Sequence, residues 1–357
     1  MKALFLAAEP GGATTLGPVA ARLPGAPVYA SSRAAPGFAE FGVQARILPD
    51  PSGPEEGMGV VRGLLERHRP DVLVGSLLGP PETSLDRAAA RVLSGLPTRH
   101  LAVLDSWMHL DLRFDRRDGR FVHLPDIVAL PDGFVFQEMV DLGFPAERLA
   151  VTGHPFFDDI APHPRSGVGS RPRRLGFLLQ PLAGLVEAGH VPHPGYTETE
   201  AVRLFFEALE LAGEQLPEVE ILLREHPRRD SRYEIPAAFR SRVRVSREGG
   251  GWEFTRGLDA VAGMSGTLLV YSFLAGQPTV VCQPGLTQTP DPNILTRFGM
   301  TPNADTAGRL ARELTAALTD PTYQLDETAR KARDRFPLDG GNCGRILALM
   351  EDGRVRR

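Results

Sequence analysis

The chain has 357 residues, with little cysteine and almost no lysine. Its two cysteines, Cys282 and Cys343, are too few for a disulfide framework, and they fit a reducing compartment. Apart from Lys2 and Lys331, the positive charge is arginine. Lys+Arg is 40 and Asp+Glu is 44, so the net charge is −4. This balance argues against a dedicated nucleic-acid-binding protein, which usually carries a basic domain.

Long hydrophobic runs are also missing. The apolar run at the N-terminus meets Glu9 too early for a signal peptide, and it is typical of a first strand. The most apolar long stretch, 266–282, is interrupted by Gln277 and Pro278. No segment reaches the roughly 18 apolar residues that a membrane span needs. We therefore expect a cytoplasmic protein without a transmembrane segment, although peripheral contact with a membrane stays open.

The sequence lacks the motifs of metal sites and common cofactor sites. It contains no paired cysteines, no H-E-x-x-H, no P-loop and no G-x-G-x-x-G fingerprint. It also lacks the G-x-S-x-G elbow, which argues against a serine hydrolase. We therefore expect neither a metal nor a cofactor.

What the chain does contain is an alternation of short apolar runs with helical stretches. Continuous apolar strands separated by helices are typical of a parallel sheet that is covered on both faces. In the first half, strands are predicted at 2–8, 27–30, 43–48, 71–76, 98–104, 126–130 and 149–152, and helices at 15–23, 57–68, 84–94 and 133–142.

The pattern restarts after a polar, Pro/Gly-rich and basic stretch. We expect an α/β protein with two Rossmann-like, doubly wound domains facing each other across a cleft. In the second half, strands are predicted at 175–179, 219–224, 243–245, 259–262 and 279–282, and helices at 197–214, 267–275, 307–318, 327–335 and 342–350. The predicted boundaries are 1–161 for the N-terminal domain, 162–174 for a linker, 175–335 for the C-terminal domain and 336–357 for a final helix and tail.

Ligands of doubly wound sheets bind where strands lead into helices. The first such loop contains Glu9, Gly11 and Gly12, where glycine allows a ligand to approach the backbone and a carboxylate can act as a base. The alternative is an ordinary tight turn.

Two further segments of the first half carry polar and aromatic side chains after a strand. In the first, a carboxylate can orient a histidine base, and an aromatic face suits a sugar. The alternatives are that Asp105 caps the strand end, that the tryptophan is packing and that His154 is structural. The candidate residues are Asp105, Trp107, His109, Arg113 and His154.

The second half offers an anion site. Arginine forks recognise phosphate oxygens, and the start of a helix attracts negative charge. The alternatives are a solvated basic loop and ordinary helix caps. The candidate residues are Gln180, Arg224, His226, Arg228, Ser265, Gly266 and Thr267.

Several of these segments resemble a known family. The segments are AAEPGGATTLGPVAARL, VLDSW with LRF, LPDIVALPDG, LGFPAERLAVTGHPFFD, REHPR and SGTLLVYSFLAGQPTVV. Together, and in this order, they resemble GT-B-type glycosyltransferases of bacterial polysaccharide biosynthesis, in the superfamily that also contains the non-hydrolysing UDP-N-acetylglucosamine 2-epimerases. The chain departs from the group in two places. The E-x₇-E pattern of common retaining enzymes cannot be assigned to a position in the donor segment, and Ala13 replaces the aspartate of lipid-A-disaccharide synthases.

The resemblance implies a metal-independent glycosyltransferase that uses a nucleotide-sugar donor and a hydroxyl acceptor, with a lipid-linked acceptor as one alternative. His226 would contact the donor phosphates, with Ser265, Gly266 and Thr267 at the diphosphate. Catalytic candidates are Glu9, Asp105 and His109. Candidates for acceptor contacts are Gly11, Gly12, Trp107, Arg113 and His154. Two alternatives stay open, a nucleotide-sugar 2-epimerase on the same fold and a non-catalytic nucleotide-sugar-binding or sugar-binding protein.

Overall fold

The structure is a computed structural model, which describes residues 1–77, 82–164, 172–227 and 231–352. The chain forms two compact units. Unit 1 contains Met1–Asp159 and the returning segment Arg335–Arg357, and unit 2 contains Ile160–Asp334. Both are α/β units with parallel sheets, as the alternation of apolar runs and helical stretches predicts.

Unit 1 is built on a parallel sheet of seven strands within the described residues. Its strand order is β3-β2-β1-β4-β5-β8-β9, which is doubly wound from β1. A small antiparallel hairpin, β6 with β7, lies outside this sheet. The strands are β1 Ala3–Ala7, β2 Val28–Ser31, β3 Arg46–Leu48, β4 Val72–Ser76, β5 Arg99–Val103, β6 Asp115–Arg117, β7 Arg120–Val122, β8 Ile127–Leu130 and β9 Leu149–Val151.

Helices cover both faces of this sheet, and buried apolar side chains cluster between the sheet and the helices. The last helix returns from the end of the chain to one of these clusters through Ile346 and Met350. The helices of unit 1 are α1 Pro10–Ala21, α2 Ala35–Ala39, α3 Pro54–His68, α4 Leu85–Leu93, α5 Gly133–Asp141 and, at the end of the chain, α13 Asn342–Asp352.

Unit 2 contains a parallel sheet of order β12-β11-β10-β13-β14 within the described residues. Its core contains Phe177, Phe205 and Phe206, which pack between the sheet and helix α7. The strands are β10 Arg173–Leu178, β11 Val219–Arg224, β12 Val243–Ser246, β13 Ala260–Gly263 and β14 Thr279–Val281. The helices are α6 Leu182–Glu187, α7 Glu198–Ala212, α8 Gly251–Arg256, α9 Thr267–Leu274, α10 Ile294–Arg297, α11 Ala307–Thr319 and α12 Glu327–Arg333.

The structure corrects two local predictions. The predicted glycine-rich turn before a helix at 15–23 is helical, because α1 begins at Pro10. Proline is favourable in the first helical turn, where its missing N–H would have no partner. The predicted linker 162–174 is also too long at its end, since β10 begins at Arg173, and 165–171 lie outside the described residues. None of the helices that the structure describes is long and apolar enough to cross a membrane.

Candidate functional site

The strand order of unit 1 brings the carboxyl ends of β1, β4 and β5 together, and Asp105 lies at this edge. Its Oδ1 accepts a hydrogen bond from Nη1 of Arg113 at 2.7 Å. The same guanidinium donates to the carbonyl oxygens of Leu77 and Met108, so it joins the ends of two strands. Both side chains of the pair are nearly buried, at 14% and 10% exposure. Asp105 is therefore a carboxylate held in one place by a fixed cation.

The first turn of α1 packs directly against this carboxylate. A Cβ atom added to Gly11 would lie 2.7 Å from Oδ2 of Asp105. A Cβ added to Gly12 would lie 2.2 Å from the hydroxyl of Ser76. Gly11 is exposed, whereas Gly12 is buried. Glycine at these positions therefore lets the helix approach β4 and β5, and only Gly11 can contact an acceptor as predicted.

Glu9 lies at the same edge in a second charged group. Its Oε1 is 3.0 Å from Nη2 of Arg33, which follows β2, and that nitrogen is 3.7 Å from Oδ1 of Asp50 beyond β3. Glu9 is buried to 9% exposure, while the side chain of Arg33 is 42% exposed. The sequence interpretation missed Arg33, although its place just after a strand is the signal used for Glu9.

Two residues predicted to contact an acceptor lie in the core instead. Trp107 is 2% exposed and His154 is 0% exposed, and their rings stack at 5.9 Å between centroids. The indole N–H of Trp107 donates to Asp132, whose other carboxylate oxygen caps α5. This burial corrects the prediction for both residues and favours the structural alternatives.

His109 stands at the start of a short 3₁₀ turn, Leu110–Arg113, in the left-handed backbone region. Burial is the main cause that lowers the pKa of its imidazole, and the charge of Arg113 lowers that pKa further. A neutral imidazole near this edge can accept a proton at neutral pH, so His109 stays a candidate base.

In unit 2, two of the predicted donor segments meet. The side-chain oxygen of Gln180, after β10, accepts hydrogen bonds from the backbone N–H and the hydroxyl of Ser265, both at 2.9 Å. Gly266 is the N-cap residue of α9 and provides no side-chain cap, and Gly266 and Thr267 are half-buried. The backbone N–H groups of the first turn of α9 are therefore accessible at the N-terminal end of the helix, where the helix dipole favours an anion.

Arg224, at the end of β11, contacts the loop after the neighbouring strand β12. Its guanidinium donates to Ser246 Oγ at 2.8 Å and to the carbonyls of Glu248 and Gly249, and it lies over the ring of Phe254. At 7% exposure it is a buried cation that organises the loop after β12. This arrangement corrects its prediction as a phosphate ligand.

The segment after Arg224 contains one further residue that is predicted to bind the nucleotide-sugar donor. Glu225 accepts hydrogen bonds from Tyr233 and Arg247, and His226 follows it at the carboxyl edge as a half-buried side chain. Arg228 lies outside the described residues. His226 therefore stays the donor-site prediction of this segment.

A further polar group lies beside the residues that lead into α9. Gln283, after β14, donates to Asp291, and Asn293 donates to the carbonyl of Met264. These bonds fasten the loop after β14 to the end of β13. Like Gln180, Gln283 is an amide side chain directly after a strand.

Within the described ranges, no group of three or more His, Cys, Asp or Glu side chains could hold a metal ion.

Comparisons with known proteins identify the fold of the chain. No protein-family model matches the chain, and no curated protein matches its sequence. Among solved structures, the UDP-GlcNAc 2-epimerase from Neisseria meningitidis bound to UDP-GlcNAc has a TM-score of 0.66 at 13% identity, over 98% of this chain and 100% of that one. The glycosyltransferase SnogD from Streptomyces nogalater has a TM-score of 0.57 at 18% identity, over 98% and 100%. The chain has the GT-B fold.

A third similar structure is the UDP-GlcNAc 2-epimerase from Methanocaldococcus jannaschii in complex with UDP-GlcNAc and UDP. Its TM-score is 0.64 at 14% identity, over 98% of this chain and 99% of that one. The solved structures that resemble this GT-B chain thus include both epimerases and glycosyltransferases, and several carry a nucleotide or nucleotide sugar.

Proposed function

We propose that the protein is an enzyme that acts on a nucleotide sugar, and that it transfers the sugar to a hydroxyl acceptor. The observation that carries this proposal is the accessible start of α9, where Gly266 and Thr267 present amide groups suited to a diphosphate, while Gln180 accepts from the N–H of Ser265 beside them. The bound nucleotides of the similar structures support a nucleotide sugar as the anion. In this proposal, His226 contacts the donor phosphates.

The reaction we propose is a direct displacement at the anomeric carbon. The acceptor hydroxyl loses its proton to Asp105, or to Glu9 or His109, as its oxygen forms the new bond to that carbon. The bond from the anomeric carbon to the diphosphate oxygen breaks, and the electron pair leaves with the nucleoside diphosphate. Amide groups of α9 stabilise the charge on that leaving group.

The ion pair between Asp105 and Arg113 supports the assignment of Asp105 as the base. A carboxylate that is already fixed beside Gly11 needs no rearrangement before it accepts a proton, and positioning of this kind lowers the barrier. Gly11 is the acceptor contact that this proposal retains, whereas Arg113, predicted as an acceptor contact, donates to Asp105, Leu77 and Met108 and holds the base in place instead. We also retain the cytoplasm as the compartment, where nucleotide-sugar donors would be supplied.

A second candidate is a nucleotide-sugar 2-epimerase. The observation that favours it is the group of UDP-GlcNAc 2-epimerases among the similar structures. Such an enzyme uses carboxylates to move a proton on the sugar, and it needs no acceptor. Asp105 and Glu9 are the available carboxylates of unit 1.

Incubation of the full chain with UDP-GlcNAc in deuterated water, followed by proton NMR, separates these candidates. Release of UDP, increased by a hydroxyl acceptor, supports the transferase. A second UDP-sugar that has gained deuterium at a sugar carbon supports the epimerase. Other nucleotide sugars, and a lipid-linked acceptor, are tested in the same way. Binding of UDP-GlcNAc without either product would favour the non-catalytic alternative.

The proposed mechanism needs no metal, and EDTA tests this expectation. If helix amides and His226 suffice for the leaving group, UDP release should be unchanged after chelation and after addition of Mg²⁺. A loss of activity on chelation that Mg²⁺ restores would contradict it.

A further inference from the structure

His154 connects more parts of unit 1 than its place in a short loop suggests. The ring is fully buried, and its Nδ1 accepts a hydrogen bond from the backbone N–H of Phe156 at 3.2 Å. Burial lowers the pKa of the imidazole to about 4, so the ring is neutral at pH 7. Because Nδ1 acts as an acceptor, the single proton of the neutral ring lies on Nε2.

The imidazole of His154 contacts two segments of the candidate site. Nε2 lies 3.2 Å from the hydroxyl of Thr15, which itself donates to the carbonyl of Gly11 at 2.9 Å. The hydroxyl of Thr15 therefore presents its lone pair to the ring. The ring also packs against Trp107, two residues after Asp105, and it lies within hydrogen-bonding reach of the Asp105 backbone. The imidazole thus connects the first turn of α1 with the loop that carries Asp105.

Two neighbouring aromatic rings, whose centroids are 6.1 Å apart, pack against the imidazole. Trp107 stacks on it at 5.9 Å with an interplanar angle of 16°, and Phe157 at 5.1 Å with an angle of 29°. A ring packed in this way has one available orientation, so the direction of its Nε2–H bond is fixed.

We propose that His154 is a positioning residue that holds the Asp105 loop and the first turn of α1 together through its Nε2–H. The consequence is the close approach of Oδ2 of Asp105 to Gly11, where there is no room for a Cβ atom. The catalytic part of this inference rests on the proposed function, in which Asp105 is the base. The positioning itself is a property of the fold, and it can be measured without any substrate.

Two substitutions distinguish the acceptor at Nδ1 of the ring from the donor at Nε2. In His154→Asn, the side-chain oxygen occupies the place of Nδ1 and can still accept from Phe156, but no donor replaces Nε2–H. In His154→Gln, the amide nitrogen reaches the place of Nε2 and keeps that donor. Both variants lose the aromatic stack, so both should lose thermal stability to a similar extent.

Hydrogen–deuterium exchange of the full chain gives the first readout. In His154→Asn, we expect the segments 9–16 and 104–108 to exchange about tenfold faster, since one hydrogen bond is lost between them. In His154→Gln, their exchange should stay close to that of the native chain. Equal acceleration in both variants, spread over unit 1, would overturn the proposal, because a purely structural role affects both alike.

Turnover of UDP-GlcNAc gives the second readout. We expect kcat to fall about 10- to 100-fold in His154→Asn and to recover in His154→Gln, with the affinity for UDP unchanged in both. Equal losses of kcat would contradict the proposal.

If the native chain turns over no nucleotide sugar, the proposed function fails and the exchange experiment still decides the positioning. Should His154→Asn not fold, Thr15→Val compared with Thr15→Ser tests the same connection: faster exchange in 9–16 for the valine variant alone supports it.

Discussion

At the scale of single residues, Asp105 has the geometry of a fixed base, with Arg113 on one carboxylate oxygen and Gly11 against the other. Asp105→Asn preserves the shape but cannot accept a proton. We expect kcat to fall about 10²- to 10⁴-fold, with the affinity for UDP unchanged, because the proposed nucleotide contacts lie in unit 2. Asp111→Asn, an exposed carboxylate of the same loop, is the control and should keep its activity. Equal activity of the two variants would remove Asp105 from the mechanism.

Arg224 yields a prediction about stability. Lysine has the same charge but lacks the planar fork that reaches Ser246, Glu248 and Gly249 together. Arg224→Lys should lower the free energy of unfolding by about 1–3 kcal/mol, measured by urea denaturation. The control is Arg244→Lys, at a side chain that is 79% exposed, which should change stability by less than about 0.5 kcal/mol. Similar losses would show that the fork is unimportant.

Residue identity and spacing predict only part of the candidate site. Asp105, Gln180 and Ser265 could be predicted because each follows an apolar strand, and the carboxyl ends of parallel strands lie at one edge of a sheet. Trp107 follows a strand and Arg224 ends one, yet both side chains turn into the interior. The direction of a side chain depends on partners that are distant in sequence, such as Asp132 for Trp107, and a single sequence does not reveal those pairs.

At the scale of elements, the close packing of α1 on β4 depends on Gly12. Gly12→Ala would place a Cβ atom 2.2 Å from the hydroxyl of Ser76. This overpacking should destabilise the protein by about 1–3 kcal/mol in urea denaturation. In α3, Gly63 has nothing within 4 Å of an added Cβ. Gly63→Ala should therefore stabilise the protein by about 0.5–1 kcal/mol, and a loss of stability there would contradict the argument.

The docking of α13 depends on Asp158. Its two carboxylate oxygens accept from the backbone N–H groups of Asn342 and Cys343, at 2.9 and 2.8 Å. Asp158→Asn offers one acceptor in place of two, so the segment 335–352 should become more sensitive to limited proteolysis. Asp159→Asn, at the exposed neighbouring residue, is the matched control. Equal cleavage in both variants would show that the cap does not hold the helix.

Most strands and longer helices of the structure could be predicted from the period of the apolar residues. The start of α1 was missed because Pro10, Gly11 and Gly12 are typical of a turn, although proline is common at the first helical position. The hairpin of β6 and β7 was missed as well. Its turn, Asp118-Gly119, has positive φ at both residues and is a typical hairpin signal. Short polar strands carry too few apolar residues to show a period.

At the scale of the whole molecule, two buried histidines make stability depend on pH. Burial lowers the pKa of both His100 and His154 to about 4, whereas an unfolded histidine titrates near 6.5. Below pH 6.5 the unfolded chain binds two protons that the folded chain excludes. The free energy of unfolding should therefore fall as the pH decreases from about 6.5 to 4, by up to about 3 kcal/mol for each histidine.

His100→Leu tests this prediction. In the part of the chain that the structure describes, neither ring nitrogen of His100 has a hydrogen-bond partner, so leucine should be tolerated. Urea denaturation at pH 7 and pH 5 should show a smaller loss in the free energy of unfolding for the variant than for the native chain. The reason is that the variant binds about one proton fewer on unfolding. His193→Gln, at an exposed histidine, should behave like the native chain. An unchanged pH dependence in His100→Leu would contradict the account.

The two-unit α/β architecture could also be predicted, because the alternation of strands and helices occurs twice along the chain. The return of the last helix to unit 1 could not, since α13 has the same amphipathic pattern as α11 in unit 2. The polar contacts that settle its place, from Asp158 and Thr152, join residues almost 200 positions apart. Activity is a further step, because one GT-B fold supports both sugar transfer and epimerisation.

Calorimetric titration of the full chain with UDP, GDP, ADP, CDP and dTDP tests the central claim most directly. We expect one nucleoside diphosphate to bind, with an affinity that falls at least about tenfold in His226→Ala and stays unchanged in His193→Ala. This result would locate the nucleotide at the carboxyl edge of unit 2. No binding of any of the five, or equal binding to the native chain and His226→Ala, would contradict it.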